Sequence, residues 1–143
     1  MMVAALATET RILLLAGGLV FCGRSAWACS STAQMLRSPE AVAHPYTDIA
    51  HRSAMLYSFA IALIAVFVEL SDWPTSVDLT AAPVQMAFFA AAIAWYQWHG
   101  MRRDTDNQFR QAAPALGWFM GALIVGEIGG FAVPLAGFVH AWA

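Results

Sequence analysis

No lysine occurs anywhere in the chain, and charge of either sign is scarce: seven arginines and nine acidic residues make up 11% of 143 residues. A soluble domain carries about 25% charged residues. With 60% of its residues hydrophobic, a chain this short cannot hide its apolar side chains in one water-facing globule. A bilayer is the natural solvent, and there is room for one integral membrane domain. Missing too is any stripe of basic residues, which excludes a nucleic-acid binder. Cysteine is limited to Cys22 and Cys29. On a helix they stand two turns, roughly 10 Å, apart, too far for a disulfide, and they read as packing residues. No internal repeat, low-complexity segment or sustained heptad is present.

What is present is four apolar runs. They predict an all-α fold, an integral membrane four-helix bundle with spans at about 11–36, 50–70, 79–100 and 112–138, since about 20 helical residues cross the hydrocarbon core. Residues 11–28 loosely imitate a secretory signal ending in Ala26-Trp27-Ala28. Glu9 in front of the run and Arg24 inside it argue instead for a retained transmembrane helix. Pro39 and Pro45 make 37–50 an irregular loop, and Thr47 or Asp48 is placed to cap the second helix. Trp73-Pro74 closes that helix at an interface, and Trp95-Tyr96-Gln97-Trp98-His99 puts an aromatic belt at the end of the third. Pro83 falls in the first turns of that third span, where its missing N–H matters least.

Arg37, Arg52, Arg102, Arg103 and Arg110 share one side, and Arg11 stands alone among acidic residues on the other. The positive-inside rule then places both arginine-rich loops in the cytoplasm and both termini outside, in a multi-pass protein of a bacterial-type inner membrane.

Chemistry gathers around residues 51–57. His51 opens the second span and His99 closes the third, at nearly one depth. Imidazole ligates metals and haem iron, and Arg52, Arg102 and Arg103 are near enough in sequence to meet haem propionates. The plainer reading is interfacial histidines bonded to headgroups or loop carbonyls. Tyr57 and Gln97 lie deeper, at matching depth. They either line a pocket below a metal and hold a substrate oxygen, or bond each other and staple two helices. The 104–110 loop is a lid or a solvated connection, without calcium-loop spacing or a phosphate cradle. Arg24 and Glu127, the two charges inside spans, read as an ion pair, with a proton path or substrate role as the other option. His44 and His140 carry no assigned role. Gly117 with Gly121, and Gly126 with Gly130, let another helix approach closely, whether from this chain or from a second copy in a small homo-oligomer.

The pattern resembles the styrene oxide isomerases. The shared points are four spans, overall size, an Ile-Leu-rich first span ending near Trp27, a Ser38-Pro39-Glu40 loop and Ala50-His51 at the head of span two. Trp95-x-Gln97 in span three and Asn107-x-Phe109 before span four also match. The resemblance implies a trimer that binds haem b, with His51 as axial ligand and ferric iron acting as a Lewis acid on an epoxide. It also implies Tyr57 and Gln97 as the groups that orient the epoxide oxygen, and Met55, Phe59, Trp95 and Asn107 against a small hydrophobic substrate. The family has asparagines where this chain has Tyr57 and Gln97, and its span-three tyrosine falls at Met101. Two other classes of function fit the same residues. One is a non-catalytic haem or quinone-site anchor subunit with His51 and His99 as paired ligands. The other is a cofactor-free small membrane subunit.

Overall fold

The computed structural model describes residues 5–110 and 112–143. Four helices account for almost all of it: α1 (Thr8–Arg37), α2 (Pro45–Glu69), α3 (Thr75–Arg102) and α4 (Pro114–Trp142). All four are long and apolar enough to cross a membrane, so the four-helix membrane bundle expected from the sequence is the fold. α1 runs unbroken through Ala26-Trp27-Ala28.

Each helix reaches beyond the apolar run that announces it. α2 starts at Pro45, with proline in the first turn and His44 as its N-cap. The expected caps, Thr47 and Asp48, lie inside the helix. Proline at N1 loses only an N–H that has no helical partner anyway, and His44 Nδ1 accepts from the Tyr46 N–H at 3.3 Å. α3 starts at Thr75, so Pro83 lies in the helix interior rather than in its first turns. It ends where Arg103 turns left-handed at φ 52° and returns its N–H to the His99 carbonyl.

Burial, followed by the nearby Arg103, holds the His44 imidazole below its ordinary pKa of 6.5. Protonation would fill Nδ1 and remove the cap. Because the folded pKa lies below the unfolded one, the cap's contribution is complete above about pH 6.5 and is lost as pH falls through the folded value. Stability is therefore expected to drop by about 0.5–1 kcal/mol between pH 7 and 5 from this group. His44→Asn, which keeps an acceptor without the titration, should flatten that slope in detergent unfolding measurements.

α2 is the helix that packs substantially on all three others, while α1 and α4 scarcely meet. The core lies on its second half, where Ile61 and Ile64 are each 1% exposed and pack with Leu13, Ala82 and Phe89. At the end carrying the termini, Trp73 Nε1 donates to the Val133 carbonyl at 2.9 Å and the Asp72 N–H to the Gly137 carbonyl at 3.3 Å. His140 adds a ring stacked on Trp73 and a contact to Asp72 at 3.3 Å. At the arginine-rich end, Gln34 joins three helices. Its Nε2 donates to Thr47 Oγ1 at 3.0 Å and to the Gly100 carbonyl at 3.3 Å, and its Oε1 accepts the His44 N–H at 2.9 Å.

The two glycine pairs behave differently. Gly126 and Gly130 receive α3, with Phe88 and Gln85 filling the space a side chain would take. Gly117 and Gly121 face open space.

Candidate functional site

The residues singled out in the sequence separate into three places, because helical phase sets their direction as firmly as depth does. Tyr57 follows His51 by six residues, which turns it about 120° away around α2. One side chain faces α1 and the other faces α3 and α4.

His51 is half-buried against α1, with Nδ1 at 3.3 Å from the Arg24 carbonyl. A carbonyl only accepts, so Nδ1 carries a proton, which in the neutral ring makes Nε2 the nitrogen with the lone pair. Metal-ligating histidines are oriented in this way, by a backbone or carboxylate acceptor on the far ring nitrogen. Met55 and Phe59 follow at successive turns along the same flank, and Phe59 packs edge-on against Phe21 at 5.9 Å. Arg24 spreads its guanidinium over the Phe21 ring at 4.5 Å. Arg52, paired with Asp48 at 2.7 Å, lines a groove of about 460 Å³ between the end of α1 and the following loop. His51 does not line that groove; it and Arg52 are the residues that would hold a haem on this flank. Arg102 and Arg103 are not part of it: Arg102 lies over Trp98 and beside Asp104, and Arg103 caps α3.

His99 belongs to a second place. Its Nδ1 meets Asp104 Oδ1 at 2.7 Å, its ring packs on Tyr46 and Trp95, and its Nε2 is buried without a partner. That hydrogen bond, helped by Arg102, holds Asp104 below the ordinary carboxylate range. With Trp95, Asn107, Gln108 and Arg110 the pair lines a cavity of about 540 Å³ under the 104–110 loop. The loop is fastened by Trp95 Nε1 donating to Gln108 Oε1 and by the Gln108 N–H donating to the Tyr46 hydroxyl at 2.8 Å. A carboxylate-oriented imidazole is competent as a base or ligand. His51 and His99 therefore turn to different neighbours, Arg24 and Asp104. Asp104 escapes a motif search because it lies beyond the α3 C-cap, five residues from His99.

The third place is mid-bundle. The Tyr57 hydroxyl donates to Glu127 Oε1 at 3.1 Å, and its ring stacks on Phe89 at 4.1 Å. This corrects two expectations. Tyr57 does not bond Gln97, which is buried with Oε1 unpartnered. Nor does Glu127 pair with Arg24, which sits on α1 against Phe21. No ion pair joins the two among the described residues. Matching depth does not bring α1 and α4 side by side. Gln85 of α3 completes the group, donating from Nε2 to the Glu127 carbonyl at 3.1 Å. The sequence signal for Gln85 is its position: an amide about a third of the way along an apolar span, at the depth of Glu127.

Among the described residues, no group of three or more His, Cys, Asp or Glu is placed to hold a metal ion. No protein-family model, curated protein or solved structure matches the chain.

Proposed function

We propose that the chain is a membrane haem protein that rearranges small hydrophobic epoxides to carbonyl compounds. The observation that carries the reading is the His51 imidazole, fixed through Nδ1 on the Arg24 carbonyl with Nε2 left as a ligand. His51 would hold haem b and Arg52 would meet a propionate, with Met55, Phe59 and Phe21 as the apolar wall. Bound there, ferric iron supplies a Lewis acid for an epoxide oxygen. The flank faces outward from a single chain, so a second copy would close it, and a homotrimer in an inner membrane, arginine-rich loops in the cytoplasm and termini outside, suits the arrangement. An apolar substrate would arrive from lipid.

The test is the absorbance of detergent-solubilised protein made with ample haem. A Soret band is expected in the parent and in His99→Ala, and its loss in His51→Ala. A colourless parent protein would sink the reading. So would a band that survives His51→Ala, or a low-spin spectrum that needs both histidines.

A further inference from the structure

The mid-bundle group of Tyr57, Gln85 and Glu127 lies on other faces than His51, and it opens to the outside. Together with apolar neighbours it lines a cleft of about 510 Å³ between α2, α3 and α4. Exposed Leu63 and Ile128 form its rim, so in a bilayer the cleft is entered from the hydrocarbon. Its size is that of a small-molecule site.

The polar inventory of the cleft is one-sided. Glu127 brings a carboxyl whose Oε1 already accepts from Tyr57. The phenol has spent its only proton on that bond. Gln85 must present nitrogen to the Glu127 backbone carbonyl, since a carbonyl only accepts. That fixes its amide, and Gln85 Oε1, in a side chain only 4% exposed, is left with no partner. The other charge inside a span, Arg24, is on α1 and turned to Phe21. Among the described residues, the cleft thus has an acid without a counter-ion, beside a buried amide oxygen without a partner. The stacked rings of Tyr57 and Phe89 stand beside it, and aromatic faces attract cations. Burial makes an unmatched acid of this kind costly, so a ligand that matches it gains by as much.

We infer that this cleft binds a lipophilic primary or secondary ammonium, its N–H groups donating to the Glu127 carboxylate and its apolar body lying along Phe89 and Phe131. A neutral alcohol offers one donor and no charge. A quaternary or phosphonium cation offers charge and no donor. Both should bind more weakly than the amine.

The experiment uses the full chain in detergent and three probes: 4-phenylbutylamine, 4-phenylbutanol and tetraphenylphosphonium. Calorimetry should show saturable binding of the amine, about tenfold or more tighter than either of the others, and a loss of about tenfold or more in Glu127→Gln. The glutamine keeps an acceptor for Tyr57, and circular dichroism checks its fold. A second measurement needs no variant. Dicyclohexylcarbodiimide is apolar and modifies carboxyls within membranes. Mass spectrometry should find it on Glu127, with the rate slowed about tenfold by saturating amine and unchanged by the alcohol. Equal affinity for amine and alcohol overturns the inference, as does amine binding that is indifferent to Glu127→Gln or labelling that the amine does not slow. Loss of the Soret band in His51→Ala bears on the haem reading alone.

Discussion

Gly100→Ala is expected to be the most damaging single methyl that can be added to this protein. A Cβ at Gly100 would come within 2.6 Å of the Thr47 backbone nitrogen and 3.0 Å of its Cα, besides striking Thr47 Oγ1. Backbone cannot rotate aside as a side chain can, so α2 and α3 must separate. Overpacking of this kind costs about 1–3 kcal/mol. The position carries more than packing. The Gly100 carbonyl and Thr47 Oγ1 are the two acceptors of Gln34 Nε2, and Thr47 is 0% exposed. Moving the helices apart strands those buried groups at about 1–3 kcal/mol each. A combined loss of about 3–5 kcal/mol follows. It is measured as the shift in unfolding free energy in mixed detergent, with Gly23→Ala as the comparison, where the nearest atoms to a Cβ are Trp27 carbons at 3.8 and 3.9 Å. If the two variants unfold together, the three-helix junction contributes nothing.

Position along the membrane normal is legible in this sequence, and direction around each helix is not. The four spans, the aromatic belt and the arginine-rich end follow from hydropathy and loop composition, because a bilayer grades residues by depth. Tyr57 and Gln97 share a depth, Arg24 and Glu127 differ by roughly 8 Å, a gap long side chains can close, and neither pair forms. Rotation of a helix is set by which neighbours it packs on, and spans that are apolar on every face give little periodic signal to read. α1 is such a span. The polar contacts that do form are long-range in sequence: Tyr57 to Glu127 and Gln34 to Gly100 stand 70 and 66 residues apart. His44 was legible in principle, since a side-chain acceptor before proline is a cap signal, but Thr and Asp are the residues that propensity favours there. Trp95, His99 and Asn107 do share a cavity, whereas Met55 and Phe59 lie with His51 and Tyr57 lies with Glu127, so one anticipated site becomes three.

The same distinction decides what the span-four glycines do. Intrinsic propensity says that alanine should improve any of them by about 0.8–1 kcal/mol in a helix interior. At Gly121 no atom lies within 4 Å of an added Cβ, so Gly121→Ala should show that gain in a monomer. Gly130→Ala should do the reverse. Its Cβ would sit 2.7 Å from Gln85 Cβ and 3.4 Å from Gln85 Cα, too near the backbone for a rotamer change to relieve. α3 must retreat from α4, and the 3.1 Å bond from Gln85 Nε2 to the Glu127 carbonyl is lost. The expected cost is about 2–4 kcal/mol, overpacking plus one buried hydrogen bond. Gly126→Ala should be milder, because the three nearest atoms to its Cβ all belong to the Phe88 ring, a side chain that lines an open cleft rather than backbone. Unfolding in mixed detergent gives the ranking, and a gain at Gly130 would show that α3 and α4 do not pack this way. Native mass or light scattering on Gly121→Ala adds a second reading. A stable variant that falls from oligomer to monomer would mean that the open glycine face of α4 is where a second copy packs, with Gly126 and Gly130 reserved for the chain's own α3.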